Sequence, residues 1–307
     1  MSISILSLWQ RLPMIVRAVI AGLAVLVAGE LPWGGIAGHA ALAGWNGRVF
    51  VVVPWAIVPM AVYLWLYWRY LKGAGWPRST TPLRRTSLRA NALSSDVWGM
   101  SLLAGLIGLA TLLPLTRILG RLMTLPADAE PITTPPHMPF VTMFFLVAMA
   151  SIVSGVVEEA AFRGYMQGPI ERRHGPIVAI LVTGVAFGLL HYNHHPADVV
   201  AMLPFYIAVA AVYGGVTYIT NSILPAVVLH AGGDLFSLTR LWATGQPDWQ
   251  LSASPVTPGL IWQTGIDFAF VRSVVVFVVL GAAAVWAYTA LARTVRSASS
   301  PEQAAPA

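Results

Sequence analysis

The sequence has no cysteine and few charged residues. Because none of the 307 residues is a cysteine, the chain forms no disulfide and uses no thiol chemistry. Charged residues make up only 10% of the chain, whereas a soluble domain carries about 25%. With 57% hydrophobic residues and a mean hydropathy of +0.72, the composition excludes an ordinary soluble protein and indicates an integral membrane protein.

The formal net charge of +6 has a topological explanation. The basic residues cluster between apolar runs and form no single stripe of the kind that follows a nucleic-acid backbone. Such clustering is typical of loops on the cytoplasmic side of a membrane. We therefore expect the lipid bilayer as a partner and no nucleic acid.

Eight apolar runs are long enough to cross a bilayer, which takes roughly 20 residues in a helix. We place them at about 14–33, 49–68, 97–117, 138–165, 176–192, 201–219, 223–241 and 268–291. This pattern predicts an all-α fold: a polytopic membrane helix bundle of about eight transmembrane helices. No internal repeat is evident.

The orientation follows from the basic linker between the second and third runs. This linker contains six basic residues and one acidic residue, Asp96. The positive-inside rule places it in the cytoplasm, and an even number of spans then puts the N- and C-termini there as well. The loops on the opposite side, 118–137, 193–200 and 242–267, are nearly neutral. We expect the bacterial inner (plasma) membrane.

We interpret residues 1–296 as one integral membrane domain with its catalytic core at about 138–241. The first apolar run is expected to be an uncleaved anchor, because the small residues Gly38-His39-Ala40 lie too far beyond it for a signal-peptide cleavage site. Residues 297–307 are small and polar, which predicts a disordered tail.

The first candidate motif is Glu158-Glu159-Ala160-Ala161-Phe162-Arg163, at the end of the fourth run. In an α-helix Glu159 and Arg163 are four residues apart on one face, a spacing that favours an ion pair. Glu158 points about 100° away and is free for general-base chemistry. The alternative without a catalytic function is a helix end with ordinary surface charges.

Two further motifs lie in later runs. Phe187 and His191 share a helix face at the end of the fifth run, and His230 and Asp234 do so within the seventh. A charge at the bilayer centre costs at least ~2.5–3.5 kcal/mol, so such groups mark functional sites or paired sites. Of the twelve acidic residues, the three that lie well inside apolar runs, namely Glu158, Glu159 and Asp234, all fall within these motifs.

The three motifs in this order resemble the CAAX-protease and bacteriocin-processing (CPBP, ABI) family of intramembrane endopeptidases. The family pattern is Glu-Glu-x-x-x-Arg, then Phe-x-x-x-His, then His-x-x-x-Asn or a related polar residue. The resemblance covers about residues 138–241, and Asp234 stands where the best-studied branch has asparagine. It implies a peptidase that acts on a peptide or protein substrate at the membrane.

Peptide hydrolysis needs an activated water and a donor for the developing oxyanion. From their chemistry, Glu158 and His191 are suited to activate the water and His230 to donate to the oxyanion. Glu159, Arg163 and Phe187 then form a supporting layer. Asp234 has to be protonated or has to orient His230, because an ionised carboxylate would repel the oxyanion.

A zinc-dependent mechanism is open as well, with Glu158, His191 and His230 as ligands and water in the fourth position. We favour no cofactor, since the sequence has no His-Glu-x-x-His signature. With the boundaries above, Glu158 and His191 lie near opposite ends of adjacent spans and would not meet. The fourth helix must therefore extend to about Gly168, or the fifth must start beyond Pro176.

Two other functions compete with a peptidase. One is a non-proteolytic binding or immunity protein of the same fold. The other is a proton-coupled transporter, which the absence of paired repeats disfavours. The sequence does not identify the substrate or show whether it is prenylated.

Overall fold

A computed structural model describes residues 9–31, 38–125, 134–191, 196–244 and 259–298, and these residues form helices and no strand. We number the α-helices in chain order. They are α1 (Met14–Glu30), α2 (Gly38–Val49), α3 (Ile57–Leu71), α4 (Thr81–Leu88), α5 (Ser95–Leu122), α6 (Phe140–Glu158), α7 (Gly168–Leu190), α8 (Pro196–Thr220), α9 (Leu224–Thr244), α10 (Ile261–Thr264) and α11 (Phe268–Ala298). A π-helix, Glu159–Gln167, joins α6 to α7.

The predicted helical membrane fold is confirmed. A helix overlaps each of the eight predicted spans. Within the described ranges, four helical stretches are both long and apolar enough to cross a membrane: Ser95–Leu122, Phe140–Leu190, Val199–Thr220 and Phe268–Ala298. The number of eight spans stays a prediction. Ser297 and Ala298, predicted to be disordered, continue α11, while residues 299–307 of the predicted tail lie outside the described residues.

The second predicted span begins later than expected. Residues 49–68 were predicted as one helix, but α2 ends at Val49 and α3 starts at Ile57. Pro54 interrupts the run because it has no N–H to donate to a helix. The buried side chain of Asn46 replaces the missing helical contacts: its amide donates to the carbonyls of Phe50 (3.0 Å) and Val53 (3.1 Å).

The fourth and fifth predicted spans form one hairpin with its corner at Gly175. The fourth helical segment does not end at residue 165; it continues through the π-helix and the first turns of α7 to Gly175, which has φ +82°. Only glycine adopts this conformation without strain, and Pro176 follows it. Glu158 and His191 lie at similar sequence distances before and after the corner, each roughly 25 Å from it at ~1.5 Å per residue. The two motifs therefore reach the same depth, so the predicted span boundaries were wrong here.

Contacts between loops divide the molecule into two sides. On one side Arg89, in the basic linker, pairs with Glu171 at 2.8 Å and donates to Asn221 Oδ1 at 3.1 Å. On the other side Arg121, near the end of α5, pairs with Asp267 at 2.6 Å. The predicted topology groups the same loops together. Which side faces the cytoplasm remains a prediction from the positive-inside rule.

Helix α1 packs closely on the hairpin that α6, the π-helix and α7 form, through small residues. A Cβ at Gly22 would lie 3.0 Å from the carbonyl oxygen of Ala161, and one at Gly29 would overlap the side chain of Val157. Close approach of helix backbones at glycine is common in membranes, where packing replaces the hydrophobic effect. The first helix is therefore part of the wall around residues 157–161.

The ion pair of Arg89 and Glu171 joins the basic linker to α7, and its contribution to stability can be measured. Burial lowers the pKa of Arg89, and the neighbouring carboxylate of Glu171 opposes that shift. Glu171→Ala leaves Arg89 buried without its counter-charge. We expect a loss of about 3–5 kcal/mol in the free energy of unfolding, measured by thermal and denaturant unfolding in detergent.

Arg173→Ala is the matched control, since Arg173 is exposed two residues further along. The double variant Arg89→Met/Glu171→Leu removes both charges and should recover most of the lost stability. Equal stability of Glu171→Ala and Arg173→Ala would contradict the structural role given to this pair.

Candidate active site

The first motif lies in a π-helix and not in the expected α-helix. Single π-turns are rare and often occur at functional sites. In this geometry Glu159 and Arg163 still meet, with Nη1 of Arg163 3.2 Å from Oε1 of Glu159. Both side chains are fully buried. The contact has ion-pair distance but not the alignment of a hydrogen bond, so electrostatic attraction holds it.

Glu159 also fixes the orientation of His230. Nδ1 of His230 lies 2.8 Å from the same Oε1 atom of Glu159. Because an ionised carboxylate only accepts hydrogen bonds, Nδ1 carries the proton. The other ring nitrogen, Nε2, faces Oε2 of Glu158 at 3.8 Å and Oδ1 of Asp234 at 3.6 Å. Asp234 was a candidate to orient His230, but the hydrogen bond that orients the ring is donated by its Nδ1 to Glu159.

The two oxygens of Glu158 have different surroundings. Oε1 accepts a hydrogen bond of 2.8 Å from the hydroxyl of Ser154. Oε2 is buried and, among the residues the structure describes, has no hydrogen-bond partner. Glu158 is thus held through one oxygen while the other is directed toward Nε2 of His230.

His191 joins the same cluster from the second arm of the hairpin. Its Nδ1 lies 2.8 Å from the carbonyl oxygen of Phe187, so this nitrogen donates, and in a neutral ring Nε2 is then the acceptor. The ring packs 4.3 Å from Phe187, whose own ring is 6.0 Å from that of His230. His191 also lies near enough to Asp234 to interact with its charge.

Tyr213 is a member of the site that the sequence did not reveal. Its ring stacks on the imidazole of His230, with centroids 5.0 Å apart and planes 14° apart. The guanidinium of Arg163 lies 5.2 Å from the Tyr213 ring and 5.3 Å from that of Phe187. Aromatic faces attract cations, so this cage stabilises the buried arginine. A tyrosine inside an apolar run is indistinguishable by pattern from an ordinary core residue.

Ser154 and Glu30 are two further members. Ser154 precedes Glu158 by four residues, and this helical spacing was a signal that could have identified it. Glu30 ends α1 and lies within electrostatic reach of Glu158. It was overlooked because it sits close to the end of its predicted span. The site therefore holds four carboxylates, with Glu30 as the one contributed from outside the three motifs.

The metal-free mechanism and the zinc alternative both stay predictions. In the described ranges no group of three or more histidine, cysteine, aspartate or glutamate side chains is arranged to hold a metal ion. Of the proposed zinc ligands, Glu158 and His230 approach each other to 3.8 Å, but the set does not close around a common point together with His191.

The described chain is a helical membrane protein in which buried and half-buried carboxylates and imidazoles come together, an arrangement suited to activating water. Residues 140–236 match the family model described as "Type II CAAX prenyl endopeptidase Rce1-like". This match confirms the resemblance carried by the three motifs and supports a membrane protease. No curated protein and no solved structure gave a significant match.

The crossing of α6 and α9 beside His230 depends on Gly155. A Cβ at this position would lie 2.9 Å from the Cβ and backbone nitrogen of Ala231 and 3.0 Å from the carbonyl of Val227. Gly155→Ala should therefore push α9 away and destabilise the fold by about 1–3 kcal/mol, the usual effect of overpacking. The measurement is the melting temperature in detergent.

Gly99→Ala is the control, because a Cβ there meets nothing within 4 Å. In a helix interior this change should be neutral or stabilising by up to ~1 kcal/mol. Equal melting temperatures for Gly155→Ala and Gly99→Ala would show that the close crossing at Gly155 does not exist.

Proposed function

We propose that the protein is an intramembrane endopeptidase that hydrolyses a peptide bond of a membrane-associated or lipidated protein or peptide. The observation that carries the proposal is Oε2 of Glu158, a buried oxygen 3.8 Å from Nε2 of His230 and without a hydrogen-bond partner in the described part of the chain. A buried acceptor left unpaired costs about 1–3 kcal/mol. Such an atom calls for an explanation, and a water or substrate group supplies one.

Glu158 acts as the general base. Its Oε2 takes one proton from a water. The unprotonated Nε2 of His191 accepts a hydrogen bond from the other O–H of that water and so orients it. Ser154 donates a hydrogen bond to the other oxygen of Glu158, Oε1. The carboxylate is therefore oriented before the substrate binds. Positioned proton transfer of this kind contributes about 10²–10⁴-fold to a rate.

His230 stabilises the charge that develops on the carbonyl oxygen. Nδ1 donates to Glu159, so in the doubly protonated imidazolium form the remaining N–H, on Nε2, points toward the reacting centre. One preorganised donor of this kind is worth roughly 3–4 kcal/mol in the transition state. Asp234 in its acid form adds a second donor at the position where the related family has asparagine, and it then does not repel the oxyanion.

The reaction balances without a cofactor. The oxygen of the water forms a bond to the carbonyl carbon while its proton passes to Glu158, giving a tetrahedral oxyanion. Glu158 then returns the proton to the amide nitrogen as the carbon–nitrogen bond breaks, leaving an acid and an amine. Arg163 and Phe187 hold Glu159 and His191 in place but do not touch the reacting atoms.

The proposal includes the setting of the enzyme. We place it in the bacterial inner membrane with both termini in the cytoplasm, in accordance with the basic linker. Its substrate is a peptide or protein tail at the membrane, which need not be prenylated. The bilayer is its other partner.

Glu158→Gln is the direct test of the base. Glutamine keeps the shape and still accepts from Ser154, but it cannot take a proton. We expect kcat against a mixed peptide library in detergent to fall by about 10²–10⁴-fold, with an unchanged melting temperature. Asp96→Asn, on an exposed residue in the first turn of α5, should retain full activity.

The same assay with a chelator decides metal dependence. Retained activity supports the metal-free mechanism, whereas a loss that Zn²⁺ restores would favour a zinc enzyme with Glu158, His191 and His230 as ligands. Full activity of Glu158→Gln would refute the assignment of the base. A folded wild-type protein that cleaves no peptide would favour the non-proteolytic binding or immunity protein.

Ser154→Ala tests whether the base is aimed by its hydrogen bond. A hydrogen bond to a charged group contributes about 1.5–3 kcal/mol, so kcat should fall roughly 10- to 100-fold with little change in KM. Ser151→Ala is the matched control one turn earlier, since its hydroxyl bonds only to the carbonyl of Val147 at 2.9 Å. Equal kcat values for the two variants would show that Ser154 does not position Glu158.

A further inference from the structure

A groove lies on the opposite side of α8 from the active site. It runs between α5, α8 and α11, three helices that are long and apolar enough to cross the membrane, and it has a volume of about 660 Å³. Ligand pockets in proteins usually measure ~300–1,000 Å³. Val212 lines this groove while its neighbour Tyr213 stacks on His230, so one helix separates the two sites.

The wall of the groove offers a ligand no hydrogen bond from its hydroxyl groups. Tyr288 donates to the carbonyl of Val212 at 2.8 Å. Thr111 and Thr289 donate to carbonyls of their own helices at 2.6 and 2.7 Å. Polar groups that face lipid are satisfied internally in this way. The surface left for an occupant consists mainly of apolar side chains and glycine, which fits a hydrocarbon chain.

The groove has a cationic end. Arg296 lines it in the last turn of α11, on the same side of the molecule as Arg89 and away from Asp267 at the start of that helix. Along the helix axis Arg296 lies about 22 Å from Gly281, which lines the groove deeper in the bundle. That length is close to half of a bilayer of ~40–45 Å including its headgroups.

We propose that this groove binds one acyl chain of an anionic phospholipid from the leaflet on the Arg296 side, with the phosphate of its headgroup at Arg296. An apolar slot one leaflet deep with an arginine at the interface matches both parts of such a lipid. Basic pockets between transmembrane helices recognise anionic headgroups on the same electrostatic principle. The site is independent of the proposed peptidase chemistry.

Filling the groove tests the acyl-chain site. A Cβ at Gly281 meets no atom within 4 Å, and Gly281 lines the groove, so Gly281→Phe is designed to place a ring in the groove. Native mass spectrometry of the purified full chain, titrated with phosphatidylglycerol, should show the tightest-bound lipid weakened by at least about tenfold. Gly99→Phe is the control, because position 99 is equally open but lies outside the groove.

Substitution of Arg296 tests whether this residue binds the phosphate of the headgroup. Arg296→Gln should weaken phosphatidylglycerol binding about fivefold and leave phosphatidylcholine binding unchanged. Arg293→Gln removes the same charge from an exposed residue that does not line the groove and should have no effect. Melting temperatures show that each variant is folded.

Three results would overturn the proposal. The first is unchanged lipid binding in folded Gly281→Phe. The second is equal wild-type affinity for phosphatidylglycerol and phosphatidylcholine, which would remove the role of the charge. The third is loss of a dimer, and not of a lipid, in Gly281→Phe, because a second copy of the chain would then be the occupant.

Discussion

The arrangement of the candidate site depends on one buried carboxylate, that of Glu159. A single oxygen, Oε1, lies 3.2 Å from the guanidinium of Arg163 and 2.8 Å from Nδ1 of His230. A buried charge without a partner is strongly destabilising, so the arginine and the imidazole are both held where they are. With Nδ1 engaged, only Nε2 is left to face Glu158 and Asp234. The direction of the histidine therefore follows from a residue that need not touch the substrate.

The backbone brings these groups together by two local departures from α-helical geometry. The π-helix carries Glu159 and Arg163, and the glycine corner at position 175 folds the chain back so that His191 reaches the depth of Glu158. Hydrophobic periodicity in the sequence predicts neither of these two departures. The corner could nevertheless be predicted from the sequence, since Gly175-Pro176 is a strong helix-breaking pair.

Sequence reasoning succeeded where a physical penalty made residues conspicuous. Charges inside apolar runs are costly, and this singled out Glu158, Glu159 and Asp234 and led to the motifs. It failed where the pattern around a residue is equally typical of an ordinary core residue. Tyr213 looks like any core tyrosine, although it stacks on His230. Helix ends were also misjudged around residues 49–56, because Pro54 and the side chain of Asn46 end a run that hydropathy alone extends.

The central claim is that Glu159 orients His230 by accepting a hydrogen bond from a protonated Nδ1. Nitrogen-15 NMR of histidine-labelled protein in detergent tests it most directly, with the signals of His230 identified by their loss in His230→Gln. The account predicts a protonated Nδ1 in the wild-type protein and a change in that signal in Glu159→Gln. An unprotonated Nδ1 in the wild type would contradict it, because the hydrogen bond to Glu159 could not then exist.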